Sequence, residues 1–137
     1  MKKIYLPIIL LASILLCTCS QSDDIVDIFM NRTWKLSLIR EGNKNIDPKG
    51  IYSLQFFDGA FTATTPKGAT ISGKWQADGS NRLFRCTQVS VSNGDISNDS
   101  IAKKMKNIFE KSESYNGDIN YLQIKQQNNV YMQFHNR

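Results

Sequence analysis

The sequence predicts a mainly β fold with one helix, an α+β domain built as a small antiparallel barrel or curled sheet of about seven or eight strands. Three observations predict it. From Asn31 onward, apolar and polar residues alternate in short runs. Turn pairs, among them Asp58-Gly59, Asp78-Gly79, Asn93-Gly94 and Asn116-Gly117, punctuate those runs. One stretch, around Ile101 to Phe109, switches to helical spacing before the last strands.

The elements follow in order. Trp34, Leu36 and Leu38 fall on one face of a strand, with Lys35 and Ser37 on the other. Gly42 to Gly50 reads as a polar loop. Tyr52, Leu54 and Phe56 alternate with Ser53 and Gln55, and Phe61 and Ala63 continue beyond Asp58-Gly59. That pair predicts a hairpin, because glycine accepts the positive φ of a primed turn. Thr65-Pro66-Lys67-Gly68 is a second turn, leading to Ile71, Gly73 and Trp75. Asp78-Gly79 closes that strand, and a long strand runs from Arg82 to about Ser92.

Ile101, Ala102, Met105, Ile108 and Phe109 make one apolar stripe of a helix. Ser97 is the expected N-cap, with Ile96 and Ile101 as a hydrophobic staple. Asp99 near the start and Lys111 near the end suit the helix dipole. Beyond the helix, Tyr115 precedes a turn at Asn116-Gly117. Leu122 and Ile124 then pair across Gln127-Asn128-Asn129 with Val130, Met132 and Phe134. The helix would cover one open end or face of the sheet.

The N-terminus carries an address. Lys2 and Lys3 precede an apolar run from Ile4 to Leu16, which ends at Leu16-Cys17-Thr18-Cys19 and the polar stretch Ser20-Gln21-Ser22-Asp23-Asp24. That order is a secretory signal, too short to span the roughly 20 residues that a membrane-crossing helix needs. A cysteine with leucine at minus three and a small residue at minus one resembles the lipobox of bacterial lipoproteins. Cys19 fits, with Leu16 and Thr18 before it; Cys17 would put bulky Leu16 at minus one. The resemblance implies cleavage before Cys19 and acylation of its thiol and new amine. Several acyl chains anchor a protein stably where one does so only marginally. Ser20, Gln21, Ser22, Asp23 and Asp24 are similar to the export tag of Bacteroidota lipoproteins shown on the outer face of the outer membrane, and equally read as a plain polar linker. The division is then residues 1–18 as signal, 19–30 as lipidated N-terminus and tether, and 31–137 as the β-rich domain. Ile25, Val26, Ile28 and Phe29 in the tether could dock as a short helix or sit near the membrane.

Composition narrows the functions. Net charge falls from +5 to +3 once Lys2 and Lys3 leave with the signal, and the basic residues are dispersed apart from Lys103, Lys104 and Lys106. Without an arginine-rich stripe or aromatic-interleaved basic patch, nucleic-acid binding has no support. With Cys17 removed and Cys19 acylated, Cys86 stands alone, so no intramolecular disulfide is expected. Its strand-like run favours a buried, inert thiol over a reactive one.

Catalytic constellations are thin. His135 is the single histidine, next to the C-terminus, and every Ser-His or Cys-His pairing would have to use it. No His/Cys cluster suggests a metal, and no glycine-rich phosphate loop or other cofactor motif is present. Glu110 and Glu113 sit among Lys106 and Lys111 as a solvated helix face. Trp34, Phe56 and Phe61 read as core, while Phe57 or Trp75 could line a binding surface. Asp99-Ser100-Ile101 matches the Asp-Ser/Thr-apolar pattern of Bacteroidota O-glycosylation.

The order of motifs resembles the META domain of small bacterial envelope lipoproteins. It runs through Trp34-Lys35-Leu36, the Phe-rich hairpin, Ile71-Ser72-Gly73, and a helix with Asp99, Ile101 and Met105. It closes with Leu122-Gln123-Ile124 and Met132-Gln133-Phe134. One departure is that Lys74-Trp75-Gln76 stands where META domains carry Gly-Cys-Asn, and Cys86 has no partner. The match is thus nearer to a divergent Bacteroidota lipoprotein family of the same shape. The resemblance implies a non-catalytic binding or structural domain linked to envelope stress, held at the outer membrane through Cys19, with its protein or small-molecule partner unspecified. A lipocalin-like carrier of a small apolar molecule is the alternative, since an eight-stranded barrel can enclose a ligand or be filled by its own side chains.

Overall fold

Alternating runs become strands, and their register closes the sheet on itself. The computed structural model describes residues 25–136, so Cys19, the candidate tag Ser20 to Asp24 and the signal lie outside the described residues. A short helix, α1 (residues 25–29), leads into β1 (Trp34–Glu41), β2 (Lys44–Ile46), β3 (Ser53–Phe57), β4 (Ala60–Thr64), β5 (Thr70–Asp78) and β6 (Leu83–Ser92). Helix α2 (Ser100–Lys111) follows, then β7 (Ser114–Gly117), β8 (Tyr121–Gln126) and β9 (Val130–His135).

The nine strands form one antiparallel sheet in the order β2-β1-β3-β4-β5-β6-β7-β8-β9, and β9 returns to pair with β1. The result is a curled sheet with a ring of hydrogen bonds rather than a regular barrel. β1 meets β3 through Trp34↔Leu54 and Lys35↔Ser53 alone, and β6 meets β7 through Leu83↔Ser114. A parallel bridge from Met30 to Phe56 extends the first of these thin seams. Helix α2 packs on β6, β8 and β9 beside the second.

Two bulges set which side chains face inward. Ser37 is an extra residue in β1 opposite β9, so the alternation shifts there. Ile39, fully buried, takes the inward place that simple alternation assigns to Leu38, which is half-buried. In β6 the register shifts opposite Gly73, and Gln88 adopts φ +53. A Cβ at Gly73 would stand 2.8 Å from the Thr87 carbonyl and 2.9 Å from the Phe61 ring, so the β5–β6 approach requires glycine.

Other expectations are corrected locally. The polar loop after β1 contains a strand, β2, whose Ile46 pairs with Ile39. The cap of α2 is Asp99 rather than Ser97; its carboxylate accepts from the Ala102 amide at 3.0 Å. Ile96 is buried, but with Asp99 as cap it no longer holds the staple position before the cap. Asn116-Gly117 belongs to β7 rather than to a turn, which falls instead at Asp118, whose carboxylate accepts from the Asn120 amide at 2.7 Å. The Asp58-Gly59 hairpin forms with only Gly59 at positive φ (+74), so it is not the doubly positive primed form.

The interior is filled by the chain itself. Trp34, Phe61, Phe84, Phe134, Leu54 and Ile124 are among the fully buried side chains that meet inside the ring. Each end is stoppered. At one, Phe29 of α1 is 0% exposed and packs on Phe56, Trp75, Phe84 and Tyr115 at ring-centroid distances of 5.0, 5.0, 5.5 and 4.9 Å. At the other, the stripe of α2 enters the core, with Phe109 4.5 Å from Phe61. That stripe is the Ile101, Ala102, Met105, Ile108 and Phe109 set expected from the sequence.

Candidate functional site

At the α2 end, an open cleft of about 480 Å³ lies between the loop after β2, the β4–β5 turn and the start of α2, with Lys49 and Lys67 on its walls. Its floor is a structural tie. The Tyr52 hydroxyl donates to both Asp99 oxygens, at 2.8 and 2.9 Å, while Asp99 caps the helix. Burial, then the hydrogen bond to Asp99 and its negative charge, push the Tyr52 phenol up to about 12. Asp99 thus serves two elements at once, capping the Ala102 amide at the start of α2 and accepting from Tyr52. Within the Asp99-Ser100-Ile101 triplet, Ser100 is exposed while Ile101 is buried.

The basic residues of α2 make no free stripe. Lys104 reaches Glu41 at the end of β1, at 3.0 Å, and Lys106 pairs with Glu110 at 3.2 Å. Lys103, Asn107 and Glu110 line an open groove of about 500 Å³ between α2 and the end of β6. Glu113, past the helix, accepts from Gln127 Nε2 at 3.0 Å.

Cys86 faces inward, 5% exposed, and burial pushes its thiol up to about 12, against a smaller opposing effect of the Ser112 hydroxyl. A thiolate is thus unavailable at ordinary pH, in keeping with the inert reading. His135 ends β9, and its Nδ1 lies 2.6 Å from Oγ of the bulge residue Ser37. Among the described residues no carboxylate is hydrogen-bonded to its other ring nitrogen. Nor does any group of three or more His, Cys, Asp or Glu stand close enough to hold a metal ion.

Of the two aromatics marked for a binding surface, the structure separates one from the other. Trp75 is core, its Nε1 donating to the Phe57 carbonyl at 2.8 Å. Phe57 is 49% exposed at the β3–β4 hairpin. It borders an open cleft of about 380 Å³ with Met30, Asn31, Arg32 and Thr33, the segment joining α1 to β1. Arg32 is the hub of this end. Nη1 donates to the Ile119 carbonyl at 2.8 Å, Nη2 to the Asp27 carbonyl, and the guanidinium lies 5.7 Å from the Trp34 ring centre. Ile119, which the sequence reading passed over, projects from the β7–β8 turn at 53% exposure. Its signal was present: one isoleucine between Asp118 and Asn120 in a turn where polar residues suffice.

These features define a class of protein: a ring-closed antiparallel domain, filled inside, with both ends stoppered by helical side chains and its free surface on the outside. The chain belongs to the family described as a domain of unknown function, DUF4847, whose model matches residues 41–136. It is similar in fold to the crystal structure of a DUF4847 family protein from Bacteroides vulgatus ATCC 8482, with a TM-score of 0.64 and 22% identity; the match covers 81% of this chain and 96% of that one. No curated protein matches the chain.

Proposed function

We propose that this is a cell-envelope lipoprotein of the outer membrane, anchored through Cys19, whose META-like domain is a non-catalytic binding or structural module. The filled interior carries the choice of module over carrier. Phe29 closes one end and the α2 stripe the other, so an apolar guest would have to displace packed aromatic side chains. The lipocalin-like alternative has no comparable support. The META likeness is supported by where its motifs fall: Trp34-Lys35-Leu36 opens β1, Ile71-Ser72-Gly73 lies in β5, and Leu122-Gln123-Ile124 and Met132-Gln133-Phe134 pair between β8 and β9.

Two measurements test the reading. Labelled palmitate should enter the wild type and Cys17→Ser but not Cys19→Ser; label persisting in Cys19→Ser overturns the anchor. Native mass spectrometry of protein purified from the envelope should show the acylated chain without a retained small molecule, and a stoichiometric apolar adduct would return the carrier reading. Surface display through Ser20 to Asp24 is tested by changing Asp23 and Asp24 to Ala and adding protease to intact cells.

A further inference from the structure

We propose that the α1 end of the ring is a membrane-contact surface, at which Val26, Phe57 and Ile119 enter the interfacial layer of a largely zwitterionic bilayer. This rests on the lipid-anchor reading above and adds the orientation in which the anchor holds the domain.

The first argument is reach. Phe29 is buried in the core and the Arg32 guanidinium clamps the Asp27 and Ile119 carbonyls, so α1 is part of the rigid domain and not of the tether. The slack between an acylated Cys19 and Ile25 is then six backbone steps. At ~3.3–3.6 Å per residue these span about 20 Å fully extended. A domain on so short a leash presents the end from which the leash emerges.

The second argument is what that end displays. Val26 on α1, Phe57 at the β3–β4 hairpin and Ile119 in the β7–β8 turn are 38%, 49% and 53% exposed. They share one rim. Ile119 is joined to α1 through Arg32, and Phe57 through Trp75, whose ring lies 5.0 Å from that of Phe29. Apolar side chains at loop tips and on a short helix, mixed with polar neighbours, suit the boundary between headgroups and acyl chains. The third argument is charge. Arg32 and Arg82 stand at this end with Asp27, Asp58 and Asp118. A strongly anionic surface would gain no net attraction from such a mixture, whereas zwitterionic headgroups accept it.

The test uses the full, acylated protein purified from membranes and reconstituted in phosphatidylethanolamine–phosphatidylcholine vesicles containing brominated acyl chains. Bimane is attached in turn at Phe57→Cys, Ile119→Cys and, at the opposite end, Ile51→Cys; Cys86 is buried and stays in place. We expect at least about twofold quenching at the first two positions and almost none at the third, given insertion of ~5–10 Å. Equal quenching at all three, or none at Phe57→Cys and Ile119→Cys, overturns the proposal. Hydrogen exchange on the unsubstituted protein gives an independent reading: amides near residues 57–60 and 117–120 should slow on vesicles relative to detergent, and those near 49–52 should not. A chain whose intact mass lacks acyl groups sinks the anchor reading itself, whereas an acylated chain with unquenched labels sinks only the orientation.

Discussion

Replacing Phe29 with Ala removes the side chain that stoppers one end of the ring. Phe29 is fully buried and touches four aromatic rings, with Phe56 and Tyr115 meeting it edge-on at 80° and 70° and Phe84 stacked at 16°. Truncating a buried phenylalanine costs about 3–5 kcal/mol, the upper part of that range where the surroundings cannot collapse into the space. Here the neighbours are held from several strands: the Trp75 indole N–H donates a hydrogen bond to the Phe57 carbonyl, and the Tyr115 backbone N–H donates one to the Arg82 carbonyl at 3.0 Å. Collapse is hindered, and a loss of about 4 kcal/mol is expected. For a domain whose whole stability is on the order of 5–15 kcal/mol, the urea midpoint should fall by a quarter or more. Val26→Ser, one turn away and partly exposed, serves as the control and should stay within about 0.5 kcal/mol. Urea unfolding followed by far-UV circular dichroism reads both. A Phe29→Ala loss under about 1 kcal/mol with an unchanged slope would refute the account of α1 as core and restore residues 25–29 to the tether.

Two further results are expected. Asp99→Ala should cost about 2–3 kcal/mol in the same assay, more than an ordinary cap, because it both uncaps α2 and strands the buried Tyr52 hydroxyl; Tyr52→Phe, which leaves the cap intact, should cost less. Stability should decline at alkaline pH. Cys86 and Tyr52 are held protonated in the fold to about 12, above their ordinary values of 9.0 and 10.0. The unfolded chain therefore releases these protons first, so their contribution is whole below pH 9 and is lost as pH rises from 9 towards 12. Urea midpoints measured across pH 8–11 should flatten between 9 and 10 in Cys86→Ala and above 10 in Tyr52→Phe; a decline identical to wild type in both variants would count against this origin.

Much of this architecture was legible because it rests on period and turn chemistry. The pairing of Leu122 with Phe134 and Ile124 with Met132 follows from alternation across a polar three-residue turn, and the helical stripe from spacing alone. What escaped depended on contacts distant in sequence. Ser97, Asn98 and Asp99 are all capable caps, and the Tyr52 hydroxyl, from the residue just before β3, favours Asp99. β2 buries too little for its alternation to show; only its Ile46 is even half-buried. Gly117 looked like a turn glycine, yet it sits in β7 at φ +154, where a Cβ would stand 2.4 Å from the Tyr121 carbonyl oxygen. The Ser37 bulge, which turns Leu38 aside in favour of Ile39, has no composition of its own. Of the α1 rim, Phe57 was visible as the residue out of phase with Phe56, while Val26 and Ile119 mattered only once Arg32 brought their segments together.

The seam between β1 and β9 puts Lys35 opposite His135, so the first long strand of the chain waits for the last. Loop-closure entropy makes such a contact late to form, and topologies dominated by long separations fold slowly. A chain emerging from its N-terminus therefore carries β1 with an unsatisfied edge until β9 arrives, and no fragment that stops before Val130 can close the ring. The same arrangement makes the C-terminus intolerant of loss. Removing β9 would expose edges on both β1 and β8, the pattern that invites strand pairing between molecules.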